Sequence, residues 1–164
     1  MDKNIHCYSN MKPVLAVMVG ISGSGKSTYG NGLKTSLTSE NKKGTEKVST
    51  DDIRLELTGN AEDQTQNGRV FGIARARVSQ FLGQDKNVII DATSLSAKDR
   101  RDWKILGKTK GAEVRAYFIN TPAATAKSRN AGRDRKVPDW VIDKQIAKLT
   151  PPTTAEGFDS VIVV

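Results

Sequence analysis

Val14-Leu15-Ala16-Val17-Met18-Val19-Gly20-Ile21-Ser22-Gly23-Ser24-Gly25-Lys26-Ser27-Thr28 decides how the rest of this 164-residue chain is read. Val14–Val19 is an unbroken apolar run, the pattern of a strand buried on both faces. Gly20–Ser27 then fits G-x-x-x-x-G-K-[ST] at every fixed position. Glycines let the backbone curl so that successive N–H groups face a phosphate. A helix opening near Lys26 adds its positive N-terminal end. On this chemistry Gly20, Ser22, Gly23, Ser24, Gly25 and Thr28 cradle the phosphates of ATP. Lys26 reaches the β- and γ-phosphates, and Ser27 ligates magnesium.

Outward from that loop, apolar runs alternate with helical periods. A helix is expected over Lys26–Leu37, ended by the polar stretch Thr38–Thr45. Lys47–Ser49 reads as a short strand and Asp51–Leu57 as a short helix stopped at Gly59. Val70, Ile73, Ala74, Val78, Phe81 and Leu82 have a helical period. Val88–Ile90 is a second buried strand, closed by Asp91. Ser96 caps the next helix, with Asp99 three residues on. Glu113–Ile119 is a third long strand. Thr121 and Pro122 read as the cap and first residue of a further helix. Pro138–Leu149 is the last helix, and Val161–Val164 the last strand. Such β-α-β alternation predicts an α/β fold, a mostly parallel sheet with helices on both faces. Ligands in such sheets bind beyond the carboxyl ends of the strands, where Gly20, Asp51 and Asp91 fall.

A phosphate loop alone does not separate a kinase from a switch. Transfer also needs a base for the acceptor hydroxyl and a cation over the moving phosphoryl group. Asp51 and Arg54 are three apart in Ser49-Thr50-Asp51-Asp52-Ile53-Arg54, so one helical face carries both. The carboxylate can take a proton and the guanidinium can grip an acceptor phosphate. The alternative is an N-cap and a solvated side chain. Asp91 has the form of a strand-end acid that holds Ser27 or a magnesium-bound water; the alternative is a turn cap. Arg129, Arg133, Arg135 and Lys136 form a basic cluster, with Arg129 and Arg133 one helical turn apart, able to fold over phosphates, or else a solvated face. Arg100, Arg101, Lys104, Lys108 and Lys110 are read as a solvated basic face. Trp103 and Trp140 are read as packing residues.

Composition narrows the classes. Apolar residues are 37 % and charged residues 27 %, too balanced for a disordered chain. No apolar run approaches the ~20 residues of a membrane span. Residues 1–12 lack the apolar stretch of a signal peptide, which points to the cytoplasm. The one cysteine, Cys7, excludes an internal disulfide, and no Cys/His cluster offers a zinc site. Cys7 beside His6 is read as part of an unstructured tail, against a metal pair or a nucleophile. A net charge of +8 favours an acidic partner such as nucleic acid or a polyphosphate.

Together, GISGSGKST (Gly20–Thr28), STDDIR (Ser49–Arg54), VIIDATS (Val88–Ser94) and RNAGRDRKVP (Arg129–Pro138) resemble the 5′-hydroxyl polynucleotide kinases of phage and bacterial end-healing enzymes. The resemblance runs from about Val14 onward and is thin between Gly59 and Gly83. It implies a three-layer P-loop kinase fold over 13–164 with a short basic lid. It implies ATP as donor, magnesium, and a nucleic-acid 5′-hydroxyl end as acceptor. Lys26, Asp51 and Arg133 would be the catalytic residues, with Asp51 as base and Arg133, assisted by Arg129, as the lid cation on the donor phosphates. Asp51 and Arg54 would bind the acceptor. Ser27 would hold magnesium, and Asp91 would act on it indirectly. Ser94 departs from the asparagine many members carry there. A D-x-D-G-T phosphatase motif is absent, so the resemblance implies a kinase alone. A kinase of a nucleoside, nucleotide or small metabolite shares most of these motifs, and a nucleotide-binding regulator shares the loop.

Overall fold

β1 (Val14–Val19) lies at the centre of the sheet, and each of its residues is buried. In this computed structural model, residues 8–164 are described; the His6–Cys7 pair lies outside them. Along the chain follow α1 (Lys26–Asn41), β2 (Thr45–Ser49), α2 (Thr50–Thr58), α3 (Asn67–Gly83), β3 (Asn87–Asp91) and α4 (Ala97–Thr109). β4 (Glu113–Phe118), α5 (Ala123–Ala131), α6 (Asp139–Lys148), a 3-10 turn (Thr154–Glu156) and β5 (Ser160–Val163) complete it. The strands lie in the order β2-β3-β1-β4-β5, and every pairing is parallel.

Strand alternation divides the core into layers. Val14, Ala16 and Met18 of β1 pack on Leu33 and Leu37 of α1. Leu15, Val17 and Val19 face the other way, onto Val70, Ala74 and Val78 of α3 and Trp103 of α4. A third, smaller cluster of Ile21, Leu95, Ala126 and Ile142 sits beneath the phosphate loop. The expected three layers are therefore present. β1 is flanked by β3 on one side and β4 on the other, so the chain changes direction across it. A crevice opens at the carboxyl ends of strands at such a switch point. The register puts Ser49 opposite Asp91 there.

Several local signals read from the sequence are present as physical contacts. Ser96 and Asp99 form a reciprocal capping box at α4. Gly59 ends α2 with φ 74°, the left-handed region that glycine enters without strain. Other expectations need correction. α1 does not end at Leu37 but continues to Asn41, because the Asn41 and Asn87 amides donate to each other at 2.7 and 3.0 Å in a buried pair. Thr121 is not a helix cap: Pro122 holds that position, and the Thr121 hydroxyl donates instead to the Ser24 carbonyl at 2.7 Å. Arg129 and Arg133 do not share a helix, since α5 ends at Ala131. Trp103 packs in the core as expected, but Trp140 is 63 % exposed.

The largest correction concerns Arg100. It is fully buried rather than solvated. Its guanidinium donates to the Ser94, Leu95 and Thr150 carbonyls at 3.0 Å each and to both Glu156 oxygens at 3.0 and 2.9 Å. This staple fastens the segment after β3 to the segment before β5. Removing one partner of such a pair strands the other charge in a low-dielectric site. Arg100→Ala should therefore lower unfolding free energy by about 3–5 kcal/mol, measured by urea denaturation; a change within the ~0.5 kcal/mol of a surface substitution would contradict it.

Candidate active site

The chain leaves β1 into a loop whose shape is dictated by close neighbours. Gly23 takes φ 77°, and a side chain there would place its Cβ 2.3 Å from the Ala126 carbonyl oxygen. A Cβ at Gly20 would come 2.8 Å from Ser24 Oγ. Gly20 N–H donates to the Thr93 carbonyl at 3.2 Å. The Ser24 carbonyl accepts from Thr121 and, at 3.2 Å, from Arg129 Nη1. Gln145 of α6 clamps Ser22 twice: its Oε1 accepts from Ser22 N–H at 2.7 Å, and its Nε2 donates to Ser22 Oγ at 3.0 Å.

Lys26 opens α1 and turns back over the loop, donating from Nζ to the Ile21 carbonyl at 2.9 Å. Desolvation pushes its ammonium down from 10.5 to about 8. Asp91 and then Asp51 oppose that shift by attraction, and Arg133 adds to it by repulsion. Asp51, Asp91 and Arg133, all expected at the site from sequence, thus lie within electrostatic reach of Lys26. Arg133 itself is exposed in the turn after α5.

Ser27 Oγ donates to Asp91 Oδ2 at 2.9 Å. Lys47 Nζ lies 3.2 Å from the same oxygen. Asp91 is buried, so this pairing keeps its charge compensated. A hydroxyl beside a carboxylate is a hard oxygen donor set that fits magnesium when phosphate oxygens and waters supply the rest. Among the described residues there is no cluster of three His, Cys, Asp or Glu able to hold a metal unaided. Thr28 and Arg129, with Gly25, Tyr29, Ile119 and Thr121, line a cavity of about 560 Å³ beside the loop.

Asp51 sits in the first turn of α2, half exposed. The cap of that helix is Ser49, whose Oγ accepts from Asp52 N–H, so the carboxylate of Asp51 remains available. Arg54 Nη1 donates to Asp51 Oδ1 at 2.7 Å, and Arg135 Nη2 to Asp51 Oδ2 at 2.9 Å. Arg54 is buried, with further bonds to the Ala61 carbonyl at 3.4 Å and Asn67 Oδ1 at 3.1 Å. Sequence reading placed Arg135 only within a basic cluster. Gln145, Thr121 and Lys47 were missed: their partners lie far along the chain, and no local pattern marks them.

Fold and loop together define a P-loop kinase domain. A family model described as an AAA domain, AAA_33, matches residues 15–152, and the chain belongs to that family. It is 29 % identical, over 88 % of its length, to a putative bifunctional polynucleotide kinase/RNA ligase of Autographa californica nuclear polyhedrosis virus, spanning 22 % of that protein. It is 34 % identical, over 73 % of its length, to an adenylyl-sulfate kinase of Pseudomonas aeruginosa, spanning 60 % of it. A chain of the Pnkp1/Rnl/Hen1 RNA repair complex shares the fold with TM-score 0.73 at 24 % identity, over 85 % of this chain and 45 % of that one. The chain thus spans less than two-thirds of each of these relatives.

The depressed Lys26 gives a signed expectation. Polyphosphate oxygens favour the charged amine, so binding returns its pKa toward 10.5. Between about pH 8 and 10.5, ADP or ATP binding should take up a proton, and affinity should fall as pH rises through that window. Calorimetry in buffers of different ionisation enthalpy reads the uptake; Lys26→Met should abolish it. A binding heat independent of buffer in the unaltered chain would count against this.

Proposed function

We propose that this chain transfers the γ-phosphoryl group of ATP to a 5′-hydroxyl end of nucleic acid. The observation that carries the reading is Asp51: a half-exposed carboxylate at the mouth of the phosphate loop, held by Arg54 and Arg135 and within the field of Lys26. A nucleotide switch has no use for a base there. An acceptor with a hydroxyl and an adjacent phosphate suits a carboxylate between two guanidinium groups.

In this reading the acceptor oxygen attacks the γ-phosphorus, its proton passes to an Asp51 oxygen, and ADP leaves. Backbone N–H groups of Gly23, Gly25, Lys26 and Ser27 hold the β-phosphate, and Ser24 and Thr28 lie alongside. The Lys26 ammonium, moved off Ile21, spans the β- and γ-phosphates. Arg133 closes from the turn after α5 over the donor phosphates, with Arg129 beside Ser24. Ser27 and Asp91 would hold magnesium, which supplies charge neutralisation on the phosphates when bound. The cavity beside Thr28 and Tyr29 takes the nucleoside of ATP. Arg54 meets the acceptor's neighbouring phosphate with the Nη2 now on Asn67. The +8 charge draws a polyanion to the site. The cytoplasm, where ATP is abundant, is the compartment this reading needs. Among the described residues, no helix is long and apolar enough to cross a membrane.

The 34 % identity to an adenylyl-sulfate kinase favours a second reading, transfer to a small phosphorylated or sulfated nucleotide. Labelled γ-phosphate transfer from ATP decides between them, run on a 5′-hydroxyl oligonucleotide beside adenylyl sulfate and a nucleoside panel. The oligonucleotide should be the best acceptor, and a better small-molecule acceptor would replace the first reading by the second.

Two substitutions test the roles. Asp51→Asn keeps size and hydrogen bonding but accepts no proton, so transfer should fall by ~10²–10⁴-fold with ATP binding retained. Normal turnover with weakened ATP binding would make Asp51 structural. Lys26→Ala should leave the fold intact and remove transfer, because no other ammonium spans the phosphates; near-normal turnover of the purified variant would end the phosphate-loop reading.

A further inference from the structure

Two guanidinium groups bracket Asp51, and each keeps one N–H unused. Arg54 Nε and Arg135 Nε are both buried and, among the described residues, without a hydrogen-bond partner. Arg135 Nε lies 3.9 Å from Glu62 Oε1, beyond hydrogen-bond reach. Asp51 is the one carboxylate that hydrogen-bonds both cations among the described residues, with Glu62 at ion-pair distance from Arg135 alone. The two guanidinium groups hold more donors than Asp51 can engage. Buried N–H groups are rarely left orphaned unless something else completes them. A tetrahedral phosphate offers more acceptor positions than a carboxylate and carries enough charge to offset both cations.

The two arginines are not alike. Arg54 is locked: its side chain is 6 % exposed and is held by Ala61, Asn67 and Asp51. Arg135 is 38 % exposed and belongs to the segment between α5 and α6, four residues past Ala131 and four before Asp139. Its one hydrogen bond among the described residues is to Asp51, across from the lid to the acceptor side. Arg135 takes one lone-pair position of the Asp51 oxygen that an acceptor hydroxyl would otherwise approach. That position opens when Arg135 finds another anion.

We infer that Arg135 is the acceptor-selecting residue of this site: it rests on Asp51 in the unliganded protein and moves to the phosphate adjoining the acceptor hydroxyl, freeing the carboxylate. The phosphate is thereby read twice, by Arg54 from below and by Arg135 from the lid. The inference rests on the acceptor reading above and adds to it the residue that makes a neighbouring phosphate necessary. A lid arginine serving the donor would instead point at the phosphate loop, as Arg129 does on Ser24.

The experiment compares binding of thymidine 3′-monophosphate and thymidine, without ATP, by protein-observed NMR titration of the full chain, Arg135→Ala and Arg135→Lys. The unaltered chain should bind the 3′-monophosphate about 10- to 100-fold more tightly than thymidine. Arg135→Ala should lose most of that preference, Arg135→Lys should keep part of it, and ADP affinity should stay the same in both. Equal preference in Arg135→Ala, or a loss of ADP affinity in its place, overturns the assignment. So does an unaltered chain with no preference for the 3′-monophosphate. Transfer to a 5′-hydroxyl oligonucleotide is assayed separately. Its failure beside an intact, Arg135-dependent preference would remove the polynucleotide reading and leave Arg135 in its place.

Discussion

The structure depends on keeping one stretch of backbone bent while leaving part of its N–H groups available to an anion. The loop from Gly20 to Gly25 meets that demand by tying several of its other polar groups to distant residues. The Ser24 carbonyl is taken by Thr121 and Arg129, the Ile21 carbonyl by Lys26, and the Ser22 side chain by Gln145. Gly23 lies so close to the Ala126 carbonyl that only a residue without Cβ fits. The partners come from β4's exit, from α5 and from α6, so packing of distant elements fixes the loop before any ligand arrives. Less ordering is then left for the ligand to do, and that preorganisation strengthens both binding and electrostatic stabilisation.

The charged groups beside the loop follow a different plan: they satisfy one another, Asp51 with Arg54 and Arg135, and Asp91 with Lys47 and the Ser27 hydroxyl. The loop is preformed; in the proposed reaction the groups around Asp51 exchange partners. Burial separates the two arginines: Arg54 is enclosed, whereas Arg135 is part-exposed on a segment that the Asn130–Val137 hydrogen bonds close.

Motifs that act within a few residues were legible from sequence. The glycines of the loop, the Ser96–Asp99 box and the Gly59 stop each encode their geometry locally, and each is present. The parallel sheet followed from the alternation of apolar runs with helical periods. What was not legible depends on distance along the chain. Nothing around Arg100 distinguishes it from Arg101, because its burial is set by Glu156 and Thr150 across the molecule. Asn41 reads as a helix-ending polar residue until Asn87 is placed against it. In the site, Asp51 and Arg54 were found as a pair through their spacing, but the third member, Arg135, reaches them from 84 residues away.

The partly desolvated Lys26 has a consequence beyond its charge. An amine with its pKa near 8 keeps a larger share of free base at neutral pH than an ordinary lysine does. Free-base amine is the nucleophilic form, and lysines made so by desolvation are the ones that react covalently. Lys26 is therefore a chemically distinct handle, open to small phosphate-free acylating or sulfonylating reagents. Occupancy of the loop by phosphate would silence it by restoring its proton, so its reactivity reports directly on whether the site is empty.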